Sequence, residues 1–251
     1  MIEHQKIRVT AIIQARMGST RLPGKVLIDV CGKPVLWHML NRLRLSDNIG
    51  DIVLAIPESA HDNKLEDFAK ESGFQCFRGS EEDVLSRYYE AAVRFGADIV
   101  VRLTADCPLV DPRVTDRIVK EHLNSGADYT SNIIKRTYPQ GLDTEVFNYD
   151  VLEKVSKEAK QGYEREHVTP YIYRHPEIFK LKSVEASGKL GRPDLRLTVD
   201  TEEDLRLMRE IFHRLYHQEQ VFYIEDVIDL LDEYPELKAI NAHIKQKRFS
   251  E

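Results

Sequence analysis

The feature that most narrows the possible folds of this chain is an alternation running through its first half. Short apolar runs, "IRVTAIIQA", "DIVLAIP", "FQCFRG" and "DIVVRLT", are separated by amphipathic runs, "PVLWHMLNRLRL", "DNKLEDFAKESG" and "EEDVLSRYYEAAVRFG". Strands alternating with helices of about 10–15 residues specify a mostly parallel sheet with helices on both faces, an α/β fold. The helix "DPRVTDRIVKEHLNSG" and the strand "ADYTSNI" complete this unit. From about residue 131 the pattern breaks into turn residues and short alternating runs. Residues 131–194 therefore read as a small α+β insertion on the core, not as an independent domain. "DLRLTVDTEEDLRLMREIFHRL" returns to strand, turn and helix, and "YIEDVIDLLDEYPELKAI" gives closing helical cover. A single domain over 1–251 is expected, with its core in about 7–130 and 195–251.

Composition removes several classes of function. At 251 residues the chain can build one sizeable core, and 42% hydrophobic with 31% charged residues is ordinary for a globular protein. A formal charge of −6 argues against a nucleic-acid-binding role, which would ask for a dominant basic patch. The one basic run, "HIKQKRF", reads as a solvated tail. No stretch approaches the ~18 apolar residues of a membrane span, and the N-terminus lacks a signal-peptide layout. Three cysteines, Cys31, Cys76 and Cys107, lie far apart without paired spacing, so a reduced cytoplasmic location is expected and thiolate metal sites are not.

Directly after the first strand, "IIQARMGSTRLPGKVL" packs Arg16, Arg21 and Lys25 among two glycines and a proline. The residues alone fit either a solvated surface loop or a phosphate cradle. It is no Walker loop, since five residues separate Gly18 from Gly24 and Val26 follows Lys25. The glycines allow close backbone approach, while an arginine fork and a lysine point charge suit a polyphosphate. Open parallel sheets bind ligands outside the carboxyl ends of their strands, where this loop falls.

Two aspartates fall on the same rim. Asp106 follows the strand of "VRLTADCPLVD", and Asp200 ends the apolar run of "LTVDTEEDL". Each can equally be read as a helix cap or turn residue, the second especially, because acids and an apolar run follow Thr201. Together on the rim of the cationic loop they suggest Mg²⁺, which takes one or two carboxylates plus substrate phosphates and water. His167 in "REHVTPY" and His38 fit structural roles as well as functional ones, and Cys107 fits a small buried filler.

Taken together, "IIQARMGSTRLPGKVL", "GKPVLWHML", "RLTADCPLVDP" and "VDTEEDL" resemble the sugar cytidylyltransferases, whose members act on 3-deoxy-manno-octulosonate and acylneuraminate. "FRGSEEDVLSRYYEAA", "YPQGLDTEVF" and "REHVTPYIY" resemble the branch of the spore coat polysaccharide biosynthesis protein SpsF. The resemblance spans nearly the whole chain. It implies a Rossmann-like core of the type shared with GT-A glycosyltransferases, and a homodimer formed through the insertion. It implies Mg-dependent transfer of CMP from CTP to an acidic or modified sugar for surface polysaccharide synthesis.

Residue by residue, the resemblance implies that Arg16 and Lys25 hold the β- and γ-phosphates, with Gln14, Ala15, Gly18, Ser19 and Arg21 completing the nucleotide loop. Asp106 matches the metal aspartate and Asp200 the second metal carboxylate. Arg78, Gly79 and Ser80 fall near the nucleoside. Where octulosonate enzymes read Gln-Gly-Asp-Glu-Pro, this chain has Thr104, Ala105, Asp106, Cys107 and Pro108, which argues against octulosonate as the sugar. Gln140, Asp143 and Glu145, with Thr104 and His167, are then the candidates for reading sugar hydroxyls. The competing readings are a GT-A glycosyltransferase using a nucleotide-sugar donor and a catalytically silent nucleotide-binding domain.

Overall fold

The computed structural model describes residues 7–218 and 220–245, so the last part of the basic run "HIKQKRF" lies outside the described residues. Its strands are β1 (Val9–Gln14), β2 (Asp29–Val30), β3 (Lys33–Pro34), β4 (Asp51–Pro57), β5 (Gln75–Gly79), β6 (Ile99–Thr104), β7 (Tyr129–Ser131), β8 (Glu145–Asn148) and β9 (Leu181–Ser183). Its helices are α1 (Val35–Leu43), α2 (Asn63–Glu71), α3 (Val84–Phe95), α4 (Pro112–Ser125), α5 (Tyr149–Glu158), α6 (Gly162–His167), α7 (Pro170–Tyr173), α8 (Glu202–Leu215), α9 (Ile224–Glu233) and α10 (Pro235–Ala239).

Among the described residues a seven-stranded sheet runs in the order β5-β4-β1-β6-β8-β7-β9, parallel except for β8. β1 is flanked by β4 and β6, and its first five residues are buried. An unbroken apolar run is what a strand covered on both faces requires. Side chains alternate across it. Ala11 and Ile13 join the larger core with Leu36 and Met39 of α1, Ile118 of α4, Met208 of α8 and Ile228 of α9. Ile12 points the other way, to Leu85 and Tyr88 of α3, Leu152 of α5 and Ile172 of α7. Each buried Leu, Ile or Met among them contributes about 1.5–3 kcal/mol by leaving water.

Helix boundaries follow their caps. Asp83 accepts from Ser86 N–H at the start of α3, and Asp111 accepts from Arg113 N–H at the start of α4, with Pro112 in its first turn. Both helices end on a glycine in the left-handed region, Gly96 and Gly126.

The stretch 131–194 is woven into this sheet. β8 runs antiparallel between β6 and β7, β9 extends the edge beyond β7, and α5 and α7 cover the α3 face. The run "LRLTV" departs from the sequence reading. Leu195–Val199 is not a strand but an irregular segment with one bridge, Gln140 to Arg196. Its backbone groups go elsewhere: Gln140 N–H donates to Leu195 O, Leu197 N–H to Gln140 O, and Val199 N–H to Asp106 O. The approach is so close that a Cβ on Gly141, itself at φ +103°, would lie 2.4 Å from Leu197 O.

Candidate active site

The site lies where β1 and β6 end, in register at Gln14 and Thr104. The chain leaving β1 is pinned at both ends. Met17 N–H donates to Asp62 Oδ1 at 2.7 Å, and Gly24 N–H to Met17 O at 3.0 Å. Gly24, at φ 67° in the left-handed region, opens a single 3₁₀ turn over Lys25–Leu27. That turn carries Lys25 to the end of β6. Its ammonium donates to Asp106 Oδ2 at 2.6 Å and to Asp200 Oδ1 at 2.7 Å.

The bond from Val199 N–H to Asp106 O brings Asp200 to Asp106 despite the missing strand. Asp200 Oδ1 also meets Arg21 at 3.0 Å, and Oδ2 accepts from Arg196 at 2.8 Å. Arg196 donates twice to Asp204 at 2.9 Å, and Asn241 donates to Asp204 as well. Thr104 Oγ1 donates to Asp106 Oδ1 at 2.7 Å. Neither aspartate caps a helix. α4 is capped by Asp111, and α8 by a box in which Thr201 accepts from Asp204 N–H while Asp204 accepts from Thr201 N–H.

Three cations, Arg21, Lys25 and Arg196, thus face three carboxylates, Asp106, Asp200 and Asp204. Burial works against the Lys25 ammonium, yet Asp106 and Asp200 hold its pKa above the ordinary value. Burial likewise opposes ionisation of Asp200, and Lys25, Arg196 and Arg21 outweigh it, so its pKa is lowered. Burial and the nearby Asp106 push the Cys107 thiol well up, consistent with an inert filler.

On the α3 face a second polar group sits beneath the same rim. Glu145 is 3% exposed and ion-paired to Arg102, and it accepts from Tyr129 Oη and from Thr169 Oγ1 at 2.6 Å. Arg102 also donates to Gln14 Oε1 at 3.0 Å, joining this group to the start of the loop. His167 ends α6 beside it. Burial lowers the His167 pKa, and the charges of Arg102 and Arg16 act in the same direction. Val168 follows at φ 71°, ψ −54°, and Thr169 N–H donates to His167 O at 2.9 Å. This is the rare γ-turn with positive φ, a strained conformation for a β-branched residue.

The remaining expected residues are less concentrated. Arg16 is exposed, and among the described residues no side-chain hydrogen bond or ion pair of it is seen. Ala15 is buried and donates to Ala55 O, Gly18 has open space where a Cβ would stand, and Ser19 Oγ accepts from Leu22 N–H. Arg78 turns to the start of α2, donating to Ser59 O, Asn63 and Glu66. Gly79 O accepts from Glu58 N–H, and Ser80 Oγ accepts from Asp83 N–H. Asp143 is held bidentately by Arg136, and Gln140 faces Arg196 through its backbone. Sequence reasoning missed Arg102, Thr169, Arg196 and Asp204. For Arg102 a signal existed, a lone cation inside the apolar strand "DIVVRLT", which needs a buried partner.

Two carboxylates sharing one cation fit a divalent ion, because Mg²⁺ completes its shell with substrate phosphates and water. Lys25 Nζ lies between the two carboxylates. Among the described residues no group of three or more His, Cys, Asp or Glu gathers to hold a metal.

The comparisons with known proteins agree on one relationship. A family model described as cytidylyltransferase matches residues 10–240. The chain is 36% identical over 230 residues to the spore coat polysaccharide biosynthesis protein SpsF of Bacillus subtilis, covering 90% of this chain and 94% of that one. It is 40% identical over 248 residues to an uncharacterized protein of Methanocaldococcus jannaschii, covering 98% and 99%. The solved structure of a cytidylyltransferase from Leptospira borgpetersenii superposes with a TM-score of 0.87 at 35% identity, covering 97% of this chain and all of that one. A match over nearly the whole length, on a chain whose loop and strand ends converge as described, has one meaning: the chain belongs to the cytidylyltransferase family.

Proposed function

We propose that this cytidylyltransferase transfers CMP from CTP to an acidic or modified sugar, releasing pyrophosphate, for surface or spore-coat polysaccharide synthesis. The observation that carries the reading is the meeting of Lys25, from the loop after β1, with the strand-end carboxylate Asp106 and with Asp200, neither of which caps a helix. The similarity to SpsF, named for spore coat polysaccharide biosynthesis, supports the pathway.

In this reading a sugar hydroxyl attacks the α-phosphorus in line, the bond from the α-phosphorus to the oxygen bridging the β-phosphate breaks, pyrophosphate leaves, and the hydroxyl proton passes to solvent. Little covalent work falls to the protein, so positioning and charge neutralisation supply the acceleration. Arg16 and Lys25 neutralise charge building on the leaving pyrophosphate, and Gln14, Ala15, Gly18, Ser19 and Arg21 complete the nucleotide loop. Asp106 and Asp200 would hold Mg²⁺, which supplies Lewis-acid polarisation of the α-phosphate when bound. Arg78, Gly79 and Ser80 border the nucleoside, and Thr104, Gln140, Asp143 and His167 the sugar, while the expected sugar contact of Glu145 is ruled out by its burial in the pair with Arg102. A homodimer in the cytoplasm completes the proposal. Its three cysteines are unpaired, and among the described residues no helix is long and apolar enough to cross a membrane.

Coupled pyrophosphatase assays test the reading. CTP with Mg²⁺ and a panel of acidic sugars should release phosphate with at least one sugar and none with CTP alone. Failure with every sugar, together with release of a nucleoside diphosphate from a nucleotide sugar, would make the protein a glycosyltransferase instead.

A further inference from the structure

The carboxylates assigned above to a divalent ion already carry a cation. Lys25 Nζ sits on Asp106 Oδ2 at 2.6 Å and on Asp200 Oδ1 at 2.7 Å, so one ammonium bridges both side chains. Their other oxygens are engaged as well, Asp106 Oδ1 by Thr104 and Asp200 Oδ2 by Arg196. A divalent ion held by Asp106 and Asp200 would compete with this ammonium for their charge, and the two cations would repel at such range.

The charge balance sets when the exchange can happen. Arg21, Lys25 and Arg196 already offset Asp106, Asp200 and Asp204. A dication entering alone would leave a half-buried cluster with two surplus positive charges, whereas a triphosphate brings the anionic oxygens that cancel them. Lys25 opens the 3₁₀ turn with its N–H donated to Leu22 O before it, and its four-carbon stem can carry the ammonium to a new partner.

We propose that Lys25 is a built-in placeholder for the divalent ion: its ammonium holds the Asp106–Asp200 pair until a metal–triphosphate complex arrives, then yields the carboxylates to the metal and moves to the phosphates. This rests on the metal-site reading of Asp106 and Asp200 above. Its consequence is that metal alone binds weakly, while metal and triphosphate reinforce each other, as linkage between sites requires.

The test uses Mn²⁺ as a paramagnetic probe on the nucleotide-free protein, with free ion counted by electron paramagnetic resonance. Lys25→Met removes the ammonium and keeps the stem, and Lys25→Gln serves as a second variant should the first fail to fold, each checked by metal-free melting. The variants should bind Mn²⁺ roughly 10-fold or more tightly than wild type, within the 5–150-fold range of coupled sites. Adding Asp106→Asn to Lys25→Met should abolish the gain. Variants that bind Mn²⁺ no better than wild type overturn the placeholder. If wild type then shows a Mn²⁺ site that Asp106→Asn removes, the metal-site reading stands without it. A gain that survives Asp106→Asn places the ion elsewhere and overturns both.

Discussion

Asp106→Asn and Asp200→Asn should each lower turnover by roughly 10²–10³ or more, the scale of removing one preorganised charge partner from a reacting centre. Asparagine keeps the shape of each side chain and removes the charge that faces Lys25. The fold should survive. Asp106 is not a cap, and at Asp200 the buried Arg196 keeps its two bonds to Asp204. The double variant should lose little beyond the worse single one, because in the proposed mechanism the two carboxylates would hold one shared ion. Turnover and melting temperature of the three variants across a Mg²⁺ titration check this. Active variants with unchanged Mg²⁺ dependence would return both aspartates to structural roles.

Arg102→Leu should produce the largest loss of stability among single replacements near the site. It strands the Glu145 carboxylate, 3% exposed, with only the hydroxyls of Tyr129 and Thr169 as donors. Burial opposes the Arg102 charge, and Glu145 more than compensates, holding its pKa above the ordinary value. Breaking such a buried pair from one side costs about 3–5 kcal/mol, because a charge is left uncompensated, not because the intact pair is worth that much. Denaturant unfolding measures it. Adding Glu145→Gln removes the stranded charge and should recover a large part of the loss. If Arg102→Leu alone is neutral, Glu145 is not held as described.

The β/α frame was legible because each of its signals is local. Apolar runs, helical spacing and closing glycines such as Gly96 and Gly126 all lie within a few residues of the elements that they define. Two things escaped. Leu195–Val199 has the apolar composition of a strand, but its backbone groups are taken by Gln140 and Asp106 from distant loops, which no local pattern announces. "YPQGLDTEVF" reads as a turn leading into a strand, as β8 is, but its place between β6 and β7 depends on pairing with both. At the candidate site the loop cations and the two rim aspartates could be picked out singly. Their direct contact could not, since Lys25 is 81 residues from Asp106 and 175 from Asp200. The same limit hid the Arg102–Glu145 pair, 43 residues apart.

The central claim, a CTP-specific phosphate cradle after β1, is tested most directly by calorimetric titration of the four nucleoside triphosphates with Mg²⁺ into the wild-type protein. CTP should bind with the highest affinity, and at 100 times its Kd it should stabilise the fold by ~2.7 kcal/mol. Equal affinity for CTP, UTP, ATP and GTP would contradict the cytidine assignment, and no binding of any of them would remove the cradle itself.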